Sequence, residues 1–310
     1  MDVTHSDIFV TGGAGFLGSH VTERLIDEGA TVTVFDDLSV GERDLVPEDA
    51  ELVVGDIRDD ELREAVVDVD PDAIVHLAAI HYIPYCNEHP EEAFEVNVMG
   101  TRNVMAAARE ASPEAVVFAS SAAVYPPRDG PNAEDSTVDP MDIYGRTKLI
   151  GEDLTRLFHA DTGVPAVSAR LFNIYGPNET NMHLVPAVLE QVAENEAAIE
   201  LGNLTPCRDF VHVDDVAQAI TAFLREHESG YEAYNVGTGA ERSVREVAEG
   251  IIAASGKQLA IEQDEERVRE SDRPHLQASV EKIRAEIGWE PTVDFEGGVR
   301  DLLPEYGIEH

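Results

Sequence analysis

The segment Thr11-Gly-Gly-Ala-Gly-Phe-Leu-Gly18 constrains this chain more than any other. It follows a short apolar run, Ile8-Phe9-Val10. It opens a stretch from Phe16 to Glu28 with Leu17, Val21, Leu25 and Ile26 at helical spacing. Strand, glycine turn and helix, in that order, are the context of a dinucleotide fingerprint. Gly12 allows the tight turn, Gly15 lets backbone approach a pyrophosphate, and Gly18 lets the helix pack on the strand. The unpaired N–H groups at the start of the helix then receive the anion. A second strand, Thr31 to Phe35, ends in Asp36, at about the 20-residue separation expected of an acid on the adenine ribose. A carboxylate there accepts from a 2′-hydroxyl and repels a 2′-phosphate, which selects NAD over NADP. The plainer alternative is glycines that merely turn the chain and a solvated loop acid. It does not account for the position of Asp36 at a strand end.

Tyr144 and Lys148, in Tyr144-Gly-Arg-Thr-Lys148, project from one face of a helix, a turn apart. An ammonium beside a phenol favours phenolate and lowers the tyrosine pKa. Moving a tyrosine from about 10 to near 7 takes roughly 4 kcal/mol. Of 22 basic residues only Lys148, Lys257 and Lys282 are lysines, so a lysine at this spacing is not background.

Apolar runs at 72–77, 115–119 and 164–169 alternate with helical stretches at 90–111, 142–160 and 183–197. That alternation predicts an α/β fold, a doubly wound parallel sheet of Rossmann type. After Asn173 the pattern turns irregular, with helices near 214–226, 243–254, 279–287 and 295–303. The division expected is an NAD-binding domain over 1–172, with 206–236 returning to it. A smaller C-terminal substrate lobe then comprises 173–205 and 237–310. Pro126 to Pro140 reads as a loop beside the site.

The charge narrows the partners. With 62 acidic residues and 22 basic ones, the formal charge is −40. A nucleic-acid partner would bring like charges together. No run of about 18 apolar residues exists to span a membrane, and the N-terminus lacks a signal pattern, so a soluble, cytoplasmic protein is expected. So acidic a surface, poor in lysine, also suggests a halophilic source with a salt-filled cytoplasm. Cys86 and Cys207 lie far apart and neither belongs to a metal-ligand spacing, so no metal is expected. His212 beside Asp214 and Asp215 reads as a structural turn.

Taken in order, these motifs resemble the extended short-chain dehydrogenase/reductase superfamily, specifically its NAD-dependent sugar-nucleotide epimerases and dehydratases. The resemblance runs nearly end to end. It covers the glycine loop, Asp36-Asp-Leu-Ser-Val-Gly41, Asp56-Ile57, His76-Leu-Ala-Ala79, Ser120-Ser121 and Tyr144/Lys148. It continues through Arg170-Leu-Phe-Asn-Ile-Tyr-Gly-Pro177 and Arg208-Asp-Phe-Val-His-Val-Asp-Asp-Val216. The resemblance implies that NAD is held by Gly12, Gly15, Phe16, Leu17 and Gly18, by Asp36 and Asp37, and by Asp56 and Ile57. It adds Leu77, Ala78, Ala79, Asn97 and Phe172, together with Tyr144 and Lys148. It implies that Ser121 hydrogen-bonds the sugar hydroxyl, Tyr144 removes its proton, and Lys148 holds the ribose. For the substrate it implies Ser121, Tyr144, Asn173, Arg208 and Arg269, with Arg273 a competitor for the diphosphate; His81, on a loop unlike the family's, is a further substrate candidate, with a structural hydrogen bond as its alternative role.

Dehydratases of this kind carry an acid shortly after the serine; this chain has Ala122 and Ala123 there. Alanine can neither protonate a departing hydroxyl nor take a proton from carbon. What remains is reversible oxidation at a sugar carbon. The expectation is a UDP-sugar 4-epimerase, UDP-glucose/UDP-galactose among its candidates, with a UDP-hexose substrate. A one-way NAD-dependent reductase or dehydrogenase would share the same residues. A non-catalytic dinucleotide scaffold would be expected to have lost Tyr144 or Lys148. The loop His81-Tyr-Ile-Pro-Tyr-Cys-Asn-Glu-His-Pro90 departs from the usual epimerase segment and leaves the hexose open. The family commonly forms homodimers through two helices per subunit, here 91–110 and 143–160.

Overall fold

The structure is a computed structural model that describes residues 1–268 and 273–308. Seven parallel strands form its central sheet. Along the chain these are β1 (Asp7–Thr11), β2 (Thr31–Asp36), β3 (Glu51–Val54), β4 (Ala73–His76), β5 (Ala115–Ser121) and β6 (Ala166–Leu171), joined after a long excursion by β10 (Tyr231–Val236). Their order is β10-β6-β5-β4-β1-β2-β3. The order reverses direction on either side of β1, which pairs with β2 and β4, both in parallel register. In open α/β sheets the crevice beyond the carboxyl ends of strands at such a switch point is where ligands bind.

Strands covered on both faces need apolar residues at every position rather than at alternate ones. Accordingly all four residues of β4 are buried, and β5 and β6 are almost entirely so. On one face, α1 (Phe16–Asp27) contributes Val21 and Leu25 to the main core. The opposite face is covered by α2 (Asp60–Val69) and by a long helical stretch. That stretch runs through α3 (Ile83–Glu88), α4 (Pro90–Phe94), a π-helical turn over Glu95–Gly100 and α5 (Thr101–Ala111). Leu62, Val66, Val104 and Met105 meet Phe9, Phe35 and Phe158 there. Burying each such side chain contributes roughly 1.5–3 kcal/mol.

Helix α6 (Ile143–Thr162) begins where the Asp142 carboxylate accepts the Gly145 N–H at 2.7 Å, and it ends at Gly163 in the left-handed conformation. The N-cap satisfies a donor the helix cannot, and the glycine tolerates the terminating φ of 79°. The helix runs its buried face, including Gly145, Lys148, Gly151, Glu152 and Thr155, along the sheet. Gly151 is required there, since a Cβ would collide with the Phe118 ring.

Beyond β6 the chain builds a second layer. Strand β7 (Asn173–Tyr175) leads to α7 (Leu184–Glu194), β8 (Ala198–Leu201), β9 (Cys207–His212) and α8 (Val213–Glu226). After β10 come β11 (Glu241–Ser243), α9 (Val244–Ala254), β12 (Ala260–Gln263), α10 (Glu281–Glu286) and α11 (Phe295–Leu302). A three-stranded sheet orders as β11-β9-β7, and β12 pairs with β8. A separate core of Val185, Val188, Leu189, Val247, Ile251 and Val299 holds this region together.

Of the 206–236 segment expected to return to the nucleotide domain, β10 joins the central sheet and α8 packs into its core. Strand β9 does not; it pairs with β7 and β11. Conversely Leu276, Ile283 and Trp289 belong to the main core. Strands of three residues carry too little alternation for their pairing to be read in advance, which is why the small sheets were not foreseen. Among the described residues no helix is long and apolar enough to cross a membrane.

Candidate active site

The glycine loop lies at the carboxyl end of β1. Gly12 has a φ of 74°, and a Cβ there would lie 2.6 Å from the Ala78 nitrogen. A Cβ on Gly18 would run into the Gly12 carbonyl and sit 2.6 Å from Gly13 Cα. Loop, helix and the start of the β4 loop are thus packed backbone on backbone. Gly15 is the N-cap of α1 and makes no side-chain cap bond. A Cβ there would meet only the Gly12 oxygen, at 3.5 Å. An open approach to uncapped helical N–H groups fits a pyrophosphate, so the residues present suit a dinucleotide.

Asp36 ends β2 and is buried. Its Oδ2 accepts the Ala14 N–H at 3.0 Å and its Oδ1 the Leu38 N–H at 2.9 Å. Burial pushes its pKa up, against the pull of those two bonds. The carboxylate therefore clamps the glycine loop to the end of β2. Exposed Asp37 accepts from Ser39 N and Oγ. Asp56 binds the Arg58 guanidinium through both oxygens, which holds its pKa down, and Ile57 is buried under Gly100. Leu77 and Ala78 donate their N–H groups to the Thr11 carbonyl at 3.0 and 3.1 Å, and Ala79 follows on the same turn. Phe16 and Leu17 open α1 beside them.

Asn97 and Phe172 are held by protein contacts. The Asn97 amide is spent on Ile80 N and O and on Thr147 Oγ1, which braces the β4 loop against α6. Phe172 is buried in the main core beside Tyr125.

At the end of β5, Ser121 accepts the Ala123 N–H at 3.1 Å, and the Tyr144 phenol lies close enough to this serine's hydroxyl to interact with it. Lys148 is buried, donates to the Ala119 carbonyl at 2.8 Å and lies 5.9 Å from the Tyr144 ring centre. The three residues singled out for catalysis therefore meet. Their protonation differs from the expectation that the lysine lowers the tyrosine pKa. Burial raises Tyr144, with the Ser121 hydrogen bond opposing it, and burial lowers Lys148 to about 7. Both groups share one poorly solvated pocket, so the loss of hydration outweighs their mutual effect.

A polar chain joins the two halves of the site. His76, buried at the end of β4, contacts Thr11 Oγ1 through Nδ1 at 2.7 Å and Thr101 Oγ1 through Nε2 at 2.9 Å. Thr101 gives its own proton to the Asn97 carbonyl, so His76 Nε2–H must donate and Nδ1 must accept from Thr11. Burial, then the Lys148 charge, lowers the His76 pKa to about 3, and the ring is neutral.

Sequence reasoning missed the network beneath the candidate catalytic residues. Arg170 on β6 makes a two-pronged contact with Glu152 of α6, at 2.9 and 2.8 Å. Ser120 donates to the same carboxylate at 2.5 Å. Arg170 also donates to the Tyr125 hydroxyl and the Glu134 carbonyl; Tyr125 donates to Asn235 on β10. A signal existed: an arginine inside the apolar run of β6 demands a buried partner, and Glu152 lies one turn beyond Lys148.

Of the substrate candidates, His81 is exposed and its Nε2 accepts from the Asn181 NH₂ group at 3.0 Å. Its ring and that of Tyr82 lie 5.8 and 5.9 Å from His183. Asn173 begins β7. Arg208 on β9 donates to the Cys207 and Arg273 carbonyls. Arg269 lies outside the described residues. Arg273 is buried against the catalytic segment, donating to the Ala123 carbonyl at 3.1 Å and pairing with Asp142 at 3.2 Å.

Comparison with known proteins agrees with this geometry. The NAD dependent epimerase/dehydratase family matches residues 8–237. A UDP-glucose 4-epimerase of Azospirillum brasilense is 32% identical over 317 residues, covering 96% of this chain and 90% of the relative. The crystal structure of the Thermus thermophilus UDP-glucose 4-epimerase in complex with NAD has a TM-score of 0.89 at 32% identity, over 97% of this chain and 99% of that one. The Thermotoga maritima UDP-glucose 4-epimerase with UDP-glucose has a TM-score of 0.89 at 27% identity, over 97% and 98%. By sequence and by fold, the chain belongs to the NAD-dependent epimerase/dehydratase family.

Proposed function

We propose that this chain is an NAD-dependent UDP-sugar 4-epimerase, with UDP-glucose and UDP-galactose as its first candidate pair. The observation that carries the reading is the meeting of Ser121, Tyr144 and Lys148 at the end of β5, followed by buried Ala122 and Ala123 where elimination would need an acid. The carboxylate nearest in sequence to Tyr144, Asp142, is committed to capping α6 and pairing with Arg273. When bound, NAD supplies a hydride acceptor with a positive ring, whose charge favours phenolate over phenol. Tyr144 would take the proton of the sugar C4 hydroxyl and return it once the 4-keto sugar has turned over. Ser121 would hydrogen-bond that oxygen, and Lys148 would hold the ribose hydroxyls. Arg208 and either Arg269 or Arg273 would hold the diphosphate, with Asn173 and His81 at the sugar end.

The test is NMR of UDP-glucose incubated with enzyme and NAD. UDP-galactose should accumulate to equilibrium with no net gain in reduced-nicotinamide absorbance. Net reduced cofactor would point to a dehydrogenase, and a 4-keto-6-deoxy product to a dehydratase; either overturns the assignment.

Three coarser readings accompany it. A nucleotide domain over 1–172 with 206–236 and a substrate lobe over 173–205 and 237–310 is the proposed division, with β9 paired into the lobe's small sheet and Leu276, Ile283 and Trp289 packed into the nucleotide domain's core. Exposed Phe94, Met99 and Leu157, on the helical stretches 90–111 and 143–162, supply an apolar face for a homodimer, testable by light scattering. The −40 charge fits a salt-filled cytoplasm; unchanged or lower thermal stability at molar KCl would reject that.

A further inference from the structure

Outside the candidate active site, three metal-ligating side chains from three separate segments converge. Cys207 begins β9, Glu241 begins β11, and His275 lies in the stretch that runs beside β9. One donor atom from each lies within 4.8 Å of the other two. His275 Nδ1 is 2.8 Å from Glu241 Oε1. The other oxygen, Glu241 Oε2, is buried and has no hydrogen-bond partner among the described residues. A buried anionic oxygen without a partner is costly unless something positive satisfies it. Among the described residues the Cys207 thiol makes only a long contact, 3.5 Å to the Thr205 carbonyl. The anions Glu241 and Glu246 outnumber Arg208 around that sulfur.

We propose that Cys207 Sγ, Glu241 and His275 Nδ1 form a binding site for a borderline-soft divalent cation of the zinc class. Thiolate, imidazole and carboxylate suit Zn²⁺, and tetrahedral coordination would set neighbouring donors about 3.3–3.5 Å apart. The donors reach that spacing by side-chain rotation, since all three are partly exposed. On binding, the Cys207 thiol loses its proton to solvent and forms the metal–sulfur bond. His275 Nδ1 now donates its proton to Glu241; on binding that proton passes to solvent and the metal takes its place, with Nε2–H retained. The carboxylate binds as the anion it already is, and water fills the fourth position. Successive residues of a strand face opposite ways, so Cys207 points away from the side on which Arg208 projects. The site is therefore separate from the nucleotide-sugar pocket. It pins β9, which carries Arg208, to β11 and to the segment that carries Arg273. No such site is visible in sequence, where the three residues are separated by 34 positions each.

The experiment is titration of the purified metal-stripped chain with Co²⁺, followed by the thiolate-to-cobalt charge-transfer band in the near ultraviolet. One Co²⁺ per chain should bind with that band, and Zn²⁺ should displace it. Cys207→Ser and His275→Gln should each abolish the band, and Cys86→Ser should leave it. No band at saturating Co²⁺, or a band that survives Cys207→Ser, overturns the proposal. If the variants fail to fold, alkylation of Cys207 in the native chain, read by peptide mass spectrometry, decides. Zn²⁺ should slow it at least tenfold, and an unchanged rate overturns the site.

Discussion

Replacing Glu152 with Gln should damage both stability and turnover, because Arg170 would keep its charge and lose its counter-charge. Both side chains are almost fully buried, at 5% and 7% exposure, so water cannot take over. The glutamine retains one acceptor oxygen, but in either orientation its NH₂ group faces an Arg170 donor, Nε or Nη2. Breaking one side of a buried pair costs about 3–5 kcal/mol. With about 2.1 cal/mol/K of unfolding entropy per residue, this 310-residue chain should lose roughly 5–8 °C in its melting midpoint. Turnover should fall too. Ser120 immediately precedes Ser121, and Glu152 lies on α6 with Lys148, so a shift of about 1 Å there can cost about 10²-fold. The assay is calorimetry together with initial rates of UDP-sugar interconversion. Adding Arg170→Met to Glu152→Gln should recover part of the stability, since the stranded charge is removed. A loss within about 0.5 kcal/mol for Glu152→Gln, the range of ordinary surface changes, would refute the assigned role of the pair.

Gly18→Ala forces a Cβ into the Gly12 carbonyl. Such overpacking costs roughly 1–3 kcal/mol, so NAD affinity by calorimetric titration and thermal stability should drop together; unchanged values for both would contradict the loop packing. For His76 the folded pKa of about 3 lies below its ordinary 6.5, so the unfolded chain binds the extra proton between those values. The contribution is fully present above about pH 6.5 and is lost as pH falls toward 3, by roughly 5 kcal/mol. Urea unfolding of His76→Gln across that window should show a shallower acid slope than the parent, and an identical slope would contradict it.

The sheet was legible because parallel strands buried on both faces must be continuously apolar, and 72–77, 115–119 and 164–169 read that way. The glycine loop and Asp36 were legible because backbone packing and a strand end each admit few residue types. The Tyr144/Lys148 face follows from helical periodicity, yet its electrostatics do not: pKa directions depend on burial, which spacing does not report. Glu152 and Arg170 are separated by an α-β turn, and their pairing needs the register of β6 against α6. The bonds of the Asn97 amide to Ile80 and Thr147 were likewise not legible, because they depend on how the β4 loop packs against α6. Cys207, Glu241 and His275 come together only through the pairing of β9 with β11 and of Cys207 with Leu276.

The role given to Tyr144 is tested most directly by Tyr144→Phe, which removes one oxygen and keeps the ring. Epimerisation should fall by about 10²–10⁴-fold, the usual share of a positioned acid–base group, while NAD affinity stays within a few-fold of the parent. A variant that interconverts UDP-glucose and UDP-galactose at near-parental rate would show that the proton leaves by another route.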